Sequence, residues 1–497
     1  MYLSALVAIS LVSRLPQLLS PNLILDGDEC VLGLMAKHVA AGKEFPVFFY
    51  GQNYGLASVE AAAGALGFVI SGTGPLPLKL AMLGLWSAGL GFYFLAFSEL
   101  VGKRRSFWIT SVLVLMPAWA VWSMKARGGY ITSFTTTGAL LYLLIRSENM
   151  QTSARWFLAG CLTGVIYLAQ PLWLPGVMPI LLFFLLSQSH GKISSACVYL
   201  LGTAAPMFVK IGSTRGSALW EPLGIGNHDV LRSVPTVVQQ IYVNLTGSYY
   251  LRFRFEPPGP ISRVLAYVWF GILAVTIVLQ VYRLACKRYL LWSHLLFASM
   301  SATLLATWLL FDARDARYLL PLSGLLVLLA GIEFLDLVDR KAYSGWGPSA
   351  TIASVLLLGA LSMIEFREFS FMWTNPKNSL SETARLKRVV DYMRAKGVRH
   401  AFSMHPLLQW QVMFYSDEQI ISRWTSEVER YPAYVREMDG AVADGEPIAL
   451  VGYVGDTHGL ENMVDNREAI FTVDNKYFVY VGVDKELLEK LHFQFAN

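Results

Sequence analysis

Apolar runs of near-bilayer length follow one another through most of this chain, and such a pattern folds as a bundle of membrane helices. The runs cover 1–19, 76–97, 107–122, 131–145, 156–169, 172–186, 193–209, 261–281, 290–311, 318–337 and 351–364. That predicts about eleven transmembrane helices for a hydrocarbon core roughly 30 Å thick, several of them short for the distance. Residues 56–70 are also apolar, but the stretch is short and rich in Ala and Gly. Charged residues make up only 15% of the chain, against about a quarter in soluble domains. The first run is broken by Arg14, Pro16 and Gln17, and no small-residue cleavage site follows, so it reads as a membrane helix and not as a signal peptide. Arg14, near its outer end, is expected to reach the headgroups or to pair with the acids that follow.

Basic residues recur at every second connection: Lys103-Arg104-Arg105, Arg146 with Arg155, Lys192, Arg283 with Lys287-Arg288, and Arg340-Lys341. Placing them in the cytoplasm puts 21–55, 124–130, 212–260, 312–317 and the C-terminal tail outside. With a cytoplasmic N-terminus this works only if 56–70 does not cross and lies re-entrant or interfacial. The competing solution has an external N-terminus and a crossing 56–70, and charge alone leaves it open. The formal net charge of +5 forms no basic stripe with interleaved aromatics, so no nucleic-acid partner is expected. Cys30, Cys161, Cys197 and Cys286 share no metal-ligand spacing and form no disulfide framework.

Composition changes after Ile364, where a charge-rich segment with soluble periodicity begins. Ser379 with Glu382 makes a capping-box pattern, Leu386, Val389, Val390 and Met393 mark one helical face, and Gly397 ends it. Strands are expected at 448–451, 469–473 and 477–481, the last two joined by Asp474-Asn475. The expected fold class is an all-α polytopic membrane protein with external juxtamembrane helices, residues 1–366, carrying a small extracytoplasmic α/β domain, residues 367–497.

Charged carboxylates beside hydrocarbon are costly without a task, which directs attention to Asp26-Gly27-Asp28-Glu29 in the loop region 21–75. An amphipathic stretch follows, with Val31, Leu32, Met35 and Val39 on its apolar side. Asp26 or Asp28 can cap that helix with Glu29 in its first turn, but a cap accounts for one acid of the three. His38 within the stretch reads as a surface or packing residue. Asn244-Leu245-Thr246, in the external loop 212–260, has the N-glycosylation acceptor pattern.

Downstream come 45–55, an aromatic segment holding Tyr50, Gln52 and Tyr54, then Glu60 among small residues, then Gly72 and Lys79-Leu80. Farther on, Arg314, Arg317, Tyr318 and Pro321 precede a late span. These parts resemble the C-type, membrane-embedded glycosyltransferases, in the branch of protein O-mannosyltransferases and bacterial aminoarabinose transferases. The family pattern has a first membrane helix, an Asp-Glu pair opening an external juxtamembrane helix, an extended aromatic stretch and a second juxtamembrane helix that does not cross. A "G-x-x-x-x-x-x-R/K-L" start to the next span and an external "R-Y-x-x-P" motif complete it. The likeness runs over most of the chain on short motifs. Gln52-Asn53-Tyr54 stands where relatives carry Lys-Pro or His-Pro-Pro, so a cationic phosphate contact is missing there.

The resemblance implies an external acidic loop and transfer of a sugar from a polyprenyl-phosphate donor to a protein, lipid or glycan acceptor. Such a donor keeps its tail in the membrane lipids, so the protein must supply a base for the acceptor hydroxyl and positive charge for the departing phosphate. Asp28 is the expected base, worth roughly 10²–10⁴-fold. Glu29 or Asp26 would orient it, raise its pKa by like charge, or join it in holding a divalent cation. Arg317 is the first candidate for the phosphate, followed by Arg314 and Arg127, because a planar guanidinium binds two phosphate oxygens. Tyr50, Tyr54 and Tyr318 are candidates for stacking on sugar, with Gln52 and Glu60 as further substrate contacts. A transporter or flippase of lipid-linked sugars is the alternative, and a non-catalytic scaffold the third reading. Repeats and broken central helices, the marks of many transporters, are not evident.

Overall fold

The computed structural model describes residues 1–20, 23–52, 55–146, 153–187, 191–213, 234–246, 259–287, 290–310, 316–340, 347–369, 381–425, 431–456, 460, 463 and 470–495. Tyr54, Arg314 and Ser379 lie outside them. The helices are α1 (Tyr2–Leu18), α2 (Gly27–Ala40), α3 (Ser58–Ser71), α4 (Pro75–Val101), α5 (Lys103–Val114), α6 (Ala118–Trp122) and α7 (Tyr130–Arg146). They continue with α8 (Ser153–Ala169), α9 (Leu174–Leu186), α10 (Lys192–Ser213), α11 (Val234–Thr246), α12 (Pro260–Ala285), α13 (Leu291–Leu310), α14 (Leu320–Arg340) and α15 (Gly347–Phe369). The C-terminal part holds α16 (Glu382–Ala395), α17 (Leu408–Tyr415), α18 (Pro432–Ala443) and α19 (Lys485–Lys490). Its strands are β1 (His400–Ser403), β2 (Ile421–Arg423), β3 (Ile448–Tyr453), β4 (Ile470–Val473) and β5 (Tyr477–Val481).

Among the described residues, 5 helices are long and apolar enough to cross a membrane, at Pro75–Val101, Lys192–Val209, Pro260–Ala285, Ala316–Asp339 and Pro348–Phe366. Shorter apolar helices lie at Tyr2–Leu18, Ser58–Ser71, Ser153–Ala169 and Pro171–Leu186. The outward faces are oily, as hydrocarbon requires: α12 exposes Val264, Val275, Val278 and Val281, and α10 exposes Ile193, Leu200 and Leu201.

The chain forms two compact units that cut across its linear order. The first comprises Met1–Leu19, Asn53–Glu60 and Lys79–Phe369; the second comprises Ser20–Gln52, Ala61–Leu78 and Ser370–Asn497. The acidic segment and its helix α2 therefore belong to the same unit as the C-terminal sheet.

In the first unit, the apolar run 107–122 is not the single span expected. Pro117 has no N–H to donate and blocks continuation, so the helix stops at Val114 and restarts at Ala118. The break leaves carbonyls without intrahelical partners, and Arg14 supplies donors to them. Its guanidinium, fully buried, donates to Val114 O (2.8 Å), Trp119 O (2.8 Å) and Ser123 Oγ (3.1 Å), and lies 5.2 Å from the centre of the Trp86 ring. The expectation that Arg14 reaches headgroups or the acidic loop is thus corrected. It is an interior strut, because backbone carbonyls of a broken helix are the nearest strong acceptors in an apolar interior.

Helices α8 and α10 meet backbone to backbone. A Cβ on Gly160 would stand 2.1 Å from Tyr199 O, one on Gly164 2.7 Å from Thr203 O, and one on Gly202 2.1 Å from Phe157 O. Gly160-x-x-x-Gly164 supplies the small stripe that such close crossings need. Gly160→Leu should force the pair apart, with an overpacking cost of about 1–3 kcal/mol or more. Thermal unfolding of the detergent-solubilised variant checks this, and an unchanged midpoint would refute the close-packed crossing.

The second unit is a five-stranded sheet in the order β2-β1-β3-β5-β4, parallel from β2 to β3 and antiparallel from β3 to β4. The predicted face of α16 is buried in its core, Leu386, Val389, Val390 and Met393 together, and Gly397 follows with φ +71°. The cap of that helix is Ser381, which accepts from Ala384 N, and not Ser379. The three predicted strands are present, with Asp474 and Asn475 both left-handed in the hairpin turn. Ile24 joins this core, Leu23 O accepts from Thr383 Oγ1 (3.0 Å), and Leu25 O accepts from Gln411 Nε2 (2.9 Å). Helix α2 lies on α17 through two glycines: a Cβ at Gly27 would meet Leu407 and one at Gly33 the Phe414 ring, both at 2.5 Å.

Candidate active site

In the second unit the acidic segment is ordered by its own cap. Asp26 is extended (φ −73°, ψ 176°) and its Oδ1 accepts from Glu29 N at 2.9 Å, while Glu29 Oε2 accepts from Asp26 N at 3.2 Å. This reciprocal pair satisfies two backbone donors at the helix start. The cap is therefore made by the side chains of Asp26 and Glu29. Asp28, 9% exposed, occupies the first turn of α2, where the backbone N–H groups and the helix dipole favour negative charge.

Two of the predicted aromatic-segment contacts sit in the same unit. Tyr50 is buried and hydrogen-bonds His38 Nδ1 at 2.7 Å, and Gln52, half-buried, donates its backbone N–H to Phe49 O at 3.0 Å. Sequence reasoning missed His38, which is 3% exposed and stands among charged groups instead of on a surface. No local signal could reveal it, since its partner Glu418 is 380 residues away in the chain.

The first unit holds the other predicted residues. Glu60 is fully buried and acts as a cap from outside the helix it serves: its Oε1 accepts from Ile131 N (3.1 Å), Thr132 N (3.2 Å) and Thr132 Oγ1 (3.4 Å), at the start of α7. Burial pushes this carboxyl up to about 7, against the opposing pull of those donors. Glu60, expected to contact substrate, has one carboxylate oxygen engaged in this way at the start of α7. The segment before α7 carries Arg127, half-buried, and is held further by Gln170 Nε2 donating to Gly128 O (3.0 Å). Gly129, at φ +88°, passes so close to the Ala169 carbonyl that a Cβ would stand 2.4 Å from its oxygen.

Arg317 and Tyr318 lie on a 3₁₀ turn, Ala316–Leu319, that leads into α14. Both are half-buried, and the guanidinium carbon sits 5.3 Å from the centre of the Tyr318 ring. Asn244 on α11 donates to Ala316 O (3.3 Å) and is 1% exposed. Its acceptor pattern for glycosylation is therefore buried in a helix, and the side chain steadies the residue before Arg317. Lys79 and Lys125, each 2% exposed, are buried cations the sequence reading did not single out for a role of their own.

Among the described residues no group of three or more His, Cys, Asp and Glu side chains is arranged to hold a metal ion. Asp26 and Glu29 each have one oxygen engaged in the cap.

No protein-family description matches the sequence, and no curated protein matches it either. Solved structures do match the fold. ArnT from Cupriavidus metallidurans, in the crystal structure bound to undecaprenyl phosphate, is similar over 97% of this chain and 98% of its own, at TM-score 0.64 and 12% identity. The Archaeoglobus fulgidus oligosaccharyltransferase, in a complex with zinc and sulfate, is similar over 93% of this chain and 69% of its own, at TM-score 0.58 and 11% identity. The same enzyme tethered to an acceptor peptide gives TM-score 0.52 over 93% and 70% at 13% identity. The chain thus has the fold of the C-type membrane glycosyltransferases.

Proposed function

We propose that the protein is a glycosyltransferase that moves a sugar from a polyprenyl-phosphate carrier to an acceptor at the extracytoplasmic face of the membrane, with inversion at the anomeric carbon. The observation that carries this reading is Asp28, an acid 9% exposed in the first turn of α2 beside the capping box of Asp26 and Glu29, in a fold shared with C-type glycosyltransferases. An acceptor hydroxyl oxygen attacks the anomeric carbon as its proton passes to Asp28. The bond from that carbon to the phosphate oxygen breaks on the opposite face, which inverts the configuration, and polyprenyl phosphate leaves. Arg317 is assigned to the phosphate, where its fork offers paired donors, with Arg127 as a second cation. Undecaprenyl phosphate in the ArnT structure and the acceptor peptide on the oligosaccharyltransferase support a lipid carrier and an external acceptor. Orientation follows the basic connections, in a bacterial inner membrane, with 1–366 as the membrane-embedded domain and 367–497 extracytoplasmic. A flippase of lipid-linked sugars is not favoured, because the fold is that of transferases.

Binding of undecaprenyl phosphate to the purified protein tests the donor assignment. Arg317→Ala should weaken it by about 1.5–3 kcal/mol, roughly 10- to 150-fold, as expected for a charged hydrogen-bond partner. Equal affinity of variant and parent would remove Arg317 from the phosphate site.

A further inference from the structure

The last turn of α2 carries two adjacent cations, Lys37 and His38, and the turn after α17 carries two adjacent acids, Asp417 and Glu418. They pair in order: Lys37 Nζ lies 2.8 Å from Asp417 Oδ1, and His38 Nε2 lies 2.8 Å from Glu418 Oε1. Both acids are left-handed, at φ 56° and 58°, a conformation unfavourable for residues with a Cβ. Backbone held this way at two consecutive positions persists only where surrounding interactions over-determine it, and such strain clusters at functional sites.

His38 extends the clamp to a third segment. Its Nδ1 lies 2.9 Å from Glu44 Oε1 and 2.7 Å from Tyr50 Oη, and Tyr50 also hydrogen-bonds Glu44. Tyr434 Oη donates to Glu418 Oε1 at 2.7 Å, and the Tyr431 ring stands 4.7 Å from that of Tyr50, centre to centre. Each ring nitrogen of His38 therefore faces a carboxylate oxygen. A carboxylate only accepts hydrogen bonds, so both contacts are satisfied only when both nitrogens carry protons.

We propose that His38 is a positioning residue: as a doubly bonded imidazolium it fastens the segment 42–52, with Tyr50 and Gln52, and helix α2, with Asp28 in its first turn, to the C-terminal sheet domain. The groups facing it are Glu44 and Tyr50 from the segment after α2, Glu418 and its neighbour Asp417 from the turn, and Tyr431 and Tyr434 from the start of α18. Lys43 and Lys37 are the nearby like charges. Burial lowers the basicity of the ring, but the hydrogen bonds and charges of Glu418 and Glu44 outweigh it, and His38 titrates above its usual range. Burial alone would raise Glu418; His38 and Tyr434 instead hold it at about 2. The folded pKa of His38 lies above the unfolded value of about 6.5. The clamp is therefore complete below that value and is lost as pH rises through the folded one.

The consequence for turnover rests on the transferase reading, while the clamp itself does not. Hydrogen exchange of amides 42–52, corrected for intrinsic rate, separates the two in the full-length protein in detergent. Between pH 6 and pH 9 the parent should lose protection, as the imidazolium that holds both carboxylates gives up its proton. His38→Gln should be unprotected at both pH values, and His38→Arg, which keeps a cation throughout, should stay protected at both. If His38→Gln does not fold, Glu418→Gln serves in its place and should move the parent's transition to lower pH. A parent without a pH step, or variants that exchange as it does, would overturn the proposal. In transfer assays His38→Gln should lower kcat while leaving undecaprenyl phosphate affinity within about twofold, since the residue touches no donor. Transfer absent from the parent would count against the function, with the exchange result still deciding the clamp.

Discussion

Asp28→Asn should reduce sugar transfer by about 10²–10⁴-fold, the usual worth of a positioned general base, while the protein folds as before. The two halves of that expectation come from the same capping box. Asp26 and Glu29 together hold the start of α2, so replacing Asp28 removes no backbone partner from the cap. Asp26→Ala makes the opposite contrast. It should destabilise the helix by about 1 kcal/mol, the common cost of losing an N-cap side chain, without removing the base. Turnover with a polyprenyl-phosphate sugar and thermal unfolding, measured on both variants, distinguish chemistry from scaffolding. Full transfer by Asp28→Asn would end its assignment as base.

Arg14→Leu is expected to be the most damaging of the substitutions to stability. The apolar replacement removes the donors of Val114 O and Ser123 Oγ and leaves Trp119 O with only the backbone N–H of Ser123 (3.2 Å), in a fully buried place. Each unsatisfied buried polar group costs about 1–3 kcal/mol, so Val114 O and Ser123 Oγ together should cost at least about 2 kcal/mol. Arg14→Lys keeps the charge but offers a single point of donation, and should recover part of the loss. The thermal midpoint in detergent is the measurement, and a Leu variant as stable as the parent would show that the helix break at Pro117 holds without the strut.

Local pattern made much of this legible. The capping acids, the apolar face of α16, the Asp474-Asn475 turn and three of the strands were readable because each depends on neighbours within a few residues. Strands β1 and β2 were not, since four- and three-residue segments carry too little periodicity to distinguish from loop. Pro117 was visible, yet the surrounding apolar run hid the break. Hydropathy reports how well a segment suits lipid and says nothing about which carbonyls a proline orphans. Glu60 was read as a substrate contact from its place in the small-residue helix of the family-like segment. The structure supplies a different justification, since the backbone donors at the start of α7 receive it.

Residue pattern alone showed that the chain suits a membrane, where its acids cluster, and that the composition changes after Ile364. Those properties are sums over adjacent residues, and solvent preference acts on them directly. Only the tertiary structure decided that α2 belongs with the C-terminal sheet, that Arg14 is a strut, and that His38 sits between Glu44 and Glu418. In each case partners far along the chain are involved, and the outcome depends on which groups close packing brings within contact or hydrogen-bond reach.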